Sequence, residues 1–89
     1  MNSEKSWVCE VDPDIQKELT RFPRSDAARL LDVFETLALD PYAGDIQKIK
    51  GKENEWRRRV GAYRLFYDVY PARRYIHVTW VERRTSNTY

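Results

Sequence analysis

The sequence predicts an α+β domain: an N-terminal strand, a two-helix hairpin, then a three- to four-stranded antiparallel meander with the helices on one face. Three observations predict it. Apolar residues recur at period two near the N-terminus, at helical spacing from Ile15 to Ala38, and at period two again from Glu55 onward. The connections within the last third are two residues long, which only antiparallel neighbours permit. An 89-residue chain with 42% hydrophobic and 34% charged side chains holds one domain, residues 1–89, and has no room for a second.

Each element follows in order. Lys5 to Val11 carries Trp7, Cys9 and Val11 at period two and reads as a strand with one buried face, ending at Asp12. Asp12 and Pro13 form an N-cap and first-turn pair, and Ile15, Leu19 and Phe22 then mark a helix of about ten residues that Pro23 terminates. Ser25 is placed to cap a second helix, whose stripe of Leu30 or Leu31, Phe34, Leu37 and Ala38 stops at Asp40 and Pro41. Ile46 and Ile49 lie in a short lysine-bearing stretch closed by a turn at Gly51. Strands follow over Glu55 to Val60, Tyr63 to Tyr70 and Arg74 to Glu82, joined by Gly61-Ala62 and Pro71-Ala72 turns.

Alternation assigns the faces. Tyr63, Leu65, Tyr67 and Val69 form the better core set, leaving Arg64, Phe66, Asp68 and Tyr70 on the other side. If Trp56 and Val60 pack under the helices, Arg57 and Arg59 converge with Arg64 on the open face.

Charge is distributed unevenly. Residues 1–45 carry five basic and ten acidic side chains, net −5; residues 46–89 carry eleven basic and four acidic, net +7. Such asymmetry suggests one basic face directed at an anionic partner. The single cysteine, Cys9, forms no internal disulfide and reads as a small buried hydrophobe. Without an apolar run of membrane-spanning length or a signal-peptide core, the chain is expected to be soluble and cytoplasmic.

Arg57, Arg59 and Arg64, flanked by Lys48, Lys50 and Lys52 before them and Arg83 and Arg84 after them, suit a phosphodiester backbone, because guanidinium forks match phosphate oxygens and stay charged. Phe66, Tyr70 and Tyr89 offer rings to unpaired bases, which favours single-stranded RNA. Cutting RNA requires activation of a ribose 2′-hydroxyl, stabilisation of the charge gained at phosphorus, and a proton for the departing 5′-oxygen. Arginines supply the second requirement. His77 sits mid-strand and reads as structural, while Glu53 and Glu55 are suited either to act as a base or to pair with arginines. No Cys/His cluster, P-loop or GxSxG motif exists, so no cofactor and no metal are expected.

Lys50-Gly51, then Trp56-Arg57-Arg58-Arg59-Val60-Gly61-Ala62-Tyr63-Arg64-Leu65-Phe66-Tyr67-Asp68, resembles the RelE/ParE toxin superfamily, whose members show a "KG…WRxRxGxYRxxY" pattern there. The resemblance extends to the start of the first helix, the end of the second, and the basic stretch Arg83 to Tyr89. It implies a microbial-RNase-like toxin of a type II toxin–antitoxin pair, with a cognate antitoxin as partner. It further implies metal-independent endoribonuclease activity on mRNA in the ribosomal A site, beside the 30S rRNA; the alternative branch, ParE-like, inhibits DNA gyrase without cutting. Arg83 lies six residues before Tyr89, the spacing of the catalytic arginine and C-terminal tyrosine in RelE-like members, which favours the ribonuclease branch. Carried over by position, Arg57 and Arg59 fall where those enzymes hold basic residues. Arg59 then stands near the 2′-hydroxyl, Arg64 and Arg83 on the phosphorane, and Tyr89 stacks on a base or relays a proton. Lys48, Lys50, Lys52 and Arg84 bind RNA. Arginine, with a pKa above about 12, is a poor general base, so the resemblance leaves the base unassigned.

Overall fold

Asp12 ends the first strand and starts the first helix. Its N–H donates to the Val78 carbonyl at 3.0 Å while its carboxylate accepts from the Asp14 N–H at 2.9 Å, so one residue closes a sheet contact and caps a helix. The computed structural model describes residues 6–83. Its elements are β1 (Val8–Val11), α1 (Pro13–Leu19), α2 (Arg24–Leu39), β2 (Ile46–Lys48), β3 (Glu55–Val60), β4 (Tyr63–Tyr70), a 3-10 turn (Pro71–Arg73) and β5 (Tyr75–Arg83).

The five strands form one sheet in the order β1-β5-β4-β3-β2. The helices carry the chain from one sheet edge to the other, after which β2 to β5 return as the expected antiparallel meander. That return leaves β5 running parallel to β1, with Cys9 opposite Ile76 and Val11 opposite Val78, so the sheet is mixed. Trp7, Cys9 and Val11 pack on the core as their alternation predicts.

The core lies between the helices and one face of the sheet. Leu65, Tyr67 and Val69 of the central strand are buried with Ile76, Val78 and Val81 from β5 and Ile15, Leu30, Phe34 and Leu37 from the helices. Two tyrosines bring hydroxyls into this layer and both are satisfied. Tyr63 donates to Asp26 in α2 at 2.8 Å, and Tyr67, fully buried, donates to the Pro41 carbonyl at 3.0 Å.

Four details differ from expectation. The first helix stops at Leu19 rather than near Pro23: the Thr20 hydroxyl bonds back to the Lys17 carbonyl, and single turns carry the chain to Phe22, whose ring still packs 5.0 Å from that of Tyr63. The second helix begins at Arg24, with Pro23 in the cap position and no side-chain cap, so Ser25 lies inside the helix. Pro23, fixed at φ −54° with an extended ψ, sets the entry angle in place of a hydroxyl. The Pro71-Ala72 connection is longer than two residues, a 3-10 turn closed by Arg74 in the left-handed region (φ 48°).

The fourth difference concerns register. β4 and β5 pair in step from Tyr70–Tyr75 to Tyr67–Val78, then slip so that Phe66 opposes Trp80. Thr79 is thus an extra residue on β5, a β-bulge, and its hydroxyl donates to the Phe66 carbonyl at 3.4 Å. Side-chain parity reverses across it: Ile76 and Val78 are buried before the bulge, Val81 after it.

Burial pushes the Tyr67 phenol from its ordinary 10.0 up to about 12. A raised folded-state value means that the stability this group contributes is complete below pH 10 and is lost as pH climbs toward 12. Tyr67→Phe, which deletes the hydroxyl but keeps the ring, should cost about 1 kcal/mol at neutral pH and flatten the alkaline fall in stability; urea unfolding between pH 7 and 11.5, with the wild type alongside, measures both.

Candidate nucleic-acid interface

The sheet face turned away from the helices carries two adjacent rows of side chains set by strand register. In the first, Arg59 of β3 lies opposite Arg64 of β4, which lies opposite Glu82 of β5. In the second, Gln47 of β2, Arg57, Phe66 and Trp80 follow one another across four strands. The two-residue Gly61-Ala62 turn holds β3 and β4 in this register, with positive φ at Gly61 alone (58°), the pattern of a type II′ hairpin.

Contacts within the rows are polar and directed. Arg64 Nη1 stands 3.6 Å from Glu82 Oε2, and Trp80 Nε1 donates to Glu82 Oε1 at 3.4 Å. Arg57 Nη2 donates to Gln47 Oε1, and the Arg59 N–H donates to the Asp45 carbonyl at 3.0 Å. Asp45, Ile46, Gln47, Arg57 and Arg59 line an open recess of about 280 Å³. Trp80 is a large apolar side chain left 55% exposed. Arg57 and Arg59, with the Phe66 ring on the next strand and the exposed Trp80 indole one strand further along the same row, fit a phosphate and a stacked base.

The far end of the same face has the opposite character. Glu55, Asp68, His77 and Glu10 succeed one another across β3, β4, β5 and β1. Beside them Tyr75 stacks on Tyr70 at 5.9 Å and lies 6.3 Å from the His77 ring, and its hydroxyl donates to Glu10, an interaction that raises the Tyr75 phenol pKa. His77 Nε2 is 3.9 Å from Asp12 Oδ2. His77 is thus held in a tyrosine-and-carboxylate row apart from the arginines.

The structure brings together Arg57, Arg59 and Arg64, as alternation predicts. It does not bring Arg83 to them. Beyond the bulge Arg83 lies opposite Tyr63 on the helix side of the sheet, with its guanidinium carbon 5.8 Å from that ring centroid. Lys48 also departs from the set: it opposes Trp56, and its Nζ donates to the Glu53 carbonyl at 2.9 Å. Lys50 and Lys52 are exposed in the turn after β2, and Arg84 and Tyr89 lie outside the described residues. Among the described residues no group of three or more His, Cys, Asp or Glu side chains is arranged to hold a metal ion.

Sequence reasoning missed Trp80, Glu82 and Gln47. The signal for the first two is the spacing of Ile76, Val78 and Val81, which widens from two to three and marks the parity change.

Arg58, between the two site arginines, faces the helices. Its guanidinium packs under Gly44, where a Cβ would come within 2.7 Å of Cζ. Its Nε and Nη1 are buried without an acceptor among the described residues. Its charge opposes, without cancelling, the rise in the Tyr67 pKa.

The family model for the ParE toxin of type II toxin–antitoxin systems, parDE, matches residues 10–86. The chain belongs to this family. The ParE-family toxin is also similar to solved RelE structures. In the archaeal RelE–RelB complex from Pyrococcus horikoshii OT3, the match covers 92% of this chain and 99% of that one, with 22% identity and a TM-score of 0.80. In the RelBE2 toxin–antitoxin complex from Mycobacterium tuberculosis it covers 89% and 99%, at 17% identity and TM-score 0.76. The isolated E. coli RelE toxin matches over 91% of this chain and 87% of its own, at 17% identity and TM-score 0.74. At these identities the likeness is one of fold. No curated protein matches the sequence.

The toxin's β2 edge depends on Gly44, whose φ of +89° is left-handed. Gly44→Ala should lose about 1–2 kcal/mol from backbone strain alone, with a further loss from displacing Arg58. Chemical denaturation of the variant beside the wild type reports the loss.

Proposed function

We propose that this toxin is a metal-independent endoribonuclease that cuts mRNA in the ribosomal A site, beside the 30S rRNA, and so stops translation in the cytoplasm. The observation that carries this reading is the row arrangement of Arg57, Arg59 and Arg64 beside Phe66 and the exposed Trp80. Cleavage by the 2′-hydroxyl passes through a phosphorane that carries more negative charge than the ground state, and preorganised guanidinium groups stabilise that increment without a metal. Exposed rings beside them suit an unpaired base rather than a duplex groove. Arg84 and Tyr89 keep, within this proposal, the roles that the resemblance assigns them, whereas Arg83, turned onto Tyr63 on the helix side, takes no part in holding the phosphorane; Lys50 and Lys52 extend the cationic surface toward flanking phosphates.

A cognate antitoxin is part of the proposal. The Pyrococcus and Mycobacterium relatives were solved in toxin–antitoxin complexes. In this chain β1 is an edge strand, and a groove of about 930 Å³ runs beside it toward α2, with Val8 and Leu31 more than half exposed. An edge strand next to an apolar groove suits a segment that adds a strand and buries apolar side chains, while an acidic stretch neutralises the arginine rows.

A second reading is favoured by the family model, whose description is ParE: a toxin that inhibits DNA gyrase without cutting. The two part in a purified system. Added to ribosomes translating a defined mRNA, the wild type should produce primer-extension stops at A-site codons. Arg59→Ala and Arg64→Ala, each folded by circular dichroism, should cut about 10²–10³-fold more slowly, the usual cost of one lost transition-state donor. Intact mRNA together with inhibited supercoiling in a gyrase assay establishes the second reading instead.

A further inference from the structure

The arginine rows leave one chemical requirement open. Attack on phosphorus needs a group that takes the 2′-hydroxyl proton, and a guanidinium, which stays protonated in proteins, cannot accept it. The carboxylates proposed from sequence do not stand in the arginine rows: Glu53 lies in the turn before β3, and Glu55 stands in the row of Asp68 and His77. The sequence alternation also places Glu82 on the wrong side of the sheet. The bulge at Thr79 brings it back.

Resting on the ribonuclease reading, we infer that Glu82 is the general base of this site. It lies in the same row as Arg59 and Arg64. Its two oxygens are held separately, Oε2 by Arg64 at 3.6 Å and Oε1 by the Trp80 indole N–H at 3.4 Å. Each oxygen keeps a free lone pair, since a carboxylate has about four acceptor sites and two are used. The side chain is 39% exposed, against 23% for Arg64, so a substrate hydroxyl reaches it without displacing the core. Pairing with Arg64 fixes the direction of the carboxylate, while Trp80 offers a face on which the base of the attacked nucleotide can stack.

Glu82 takes the proton of the 2′-hydroxyl as the 2′-oxygen bonds to phosphorus, and Arg59 and Arg64 hold the non-bridging oxygens of the phosphorane. The bond from phosphorus to the 5′-oxygen then breaks, that oxygen takes a proton from water, and the upstream fragment is left with a 2′,3′-cyclic phosphate. Glu82 returns its proton to solvent.

Chemical rescue tests the assignment. On ribosomes programmed with a defined mRNA under single-turnover conditions, Glu82→Ala should cut about 10²–10⁴-fold more slowly than wild type, the range expected for loss of a general base. Added acetate should restore cleavage more than formate, the weaker base, and chloride at equal ionic strength should restore none. Glu82→Asp, which keeps a carboxylate, should retain more activity than Glu82→Gln, with far-UV circular dichroism matched across the variants. A Glu82→Ala rate equal to wild type, or rescue by all three anions alike, while Arg64→Ala abolishes cutting, overturns the role of Glu82 and leaves the ribonuclease reading standing. Absence of cutting by the wild type overturns both.

Discussion

One extra residue on β5, Thr79, decides which side chains share a face at the C-terminal end of the sheet. Uninterrupted alternation from Ile76 and Val78 would turn Trp80 and Glu82 inward and Val81 outward. A valine side chain gains about 1.5–3 kcal/mol when fully buried, whereas an unpaired carboxylate loses several kcal/mol on leaving water. The preference for burying Val81, which is 3% exposed, over Glu82 therefore drives the chain to accept a bulge and one irregular ladder position. The Thr79 hydroxyl, donating to the Phe66 carbonyl, recovers part of the lost pairing. The consequence reaches the site: Glu82 and Trp80 join Arg64 and Phe66, and Arg83 is turned onto the ring of Tyr63.

How much of this was legible follows from how local each signal is. β3 and β4 were readable to the residue, because Glu55 to Tyr70 alternates without a break around a glycine turn, and the open-face trio Arg57, Arg59 and Arg64 came with them. Helix boundaries were less legible, since Thr20 and Pro23 compete for the same chain reversal through side-chain and ring geometry that composition does not rank. Strand partners were legible only where a short turn joins them, as in β3–β4 and β4–β5: periodicity marks a strand but says nothing of a distant neighbour, so the parallel β1–β5 pair, and the pairing that turns Lys48 beside Trp56 rather than Arg57, appear only in three dimensions. The bulge left a faint trace in the spacing of Ile76, Val78 and Val81, and missing it misplaced Arg83 and hid Glu82 together.

The same sheet face is electrically divided along the strands. From Arg64 to Asp68 the central strand advances about 13 Å, more than the Debye length of about 8–10 Å at physiological salt, so Arg59 and Arg64 act on a ligand largely apart from the carboxylate row, while Arg57, two residues and about 7 Å from Glu55, marks the border between the two fields. A polyanion entering this face meets attraction at the Arg57–Arg64 end and repulsion at the Glu55–Glu10 end. The division gives a single-stranded substrate a preferred position before any base is read, and it puts the exposed Trp80 beside the attractive end.

Three consecutive arginines on one strand also carry a cost for the free protein. Arg57 and Arg59 face the same side and Arg58 the other, where two of its nitrogens are buried without acceptors among the described residues. Gln47 and Glu82 each engage one arginine of the open face, which offsets the repulsion without removing it. A domain of this size has little stability to spare. An anion on the arginine rows, whether a substrate phosphate or an acidic protein segment, relieves that repulsion in the folded state, where strand register sets Arg59 and Arg64 side by side on one face with Arg57, an arrangement that the unfolded chain does not hold fixed. Binding and folding are therefore linked through the same few side chains, and the arrangement that prepares this face for a polyanion also makes the fold gain stability from one.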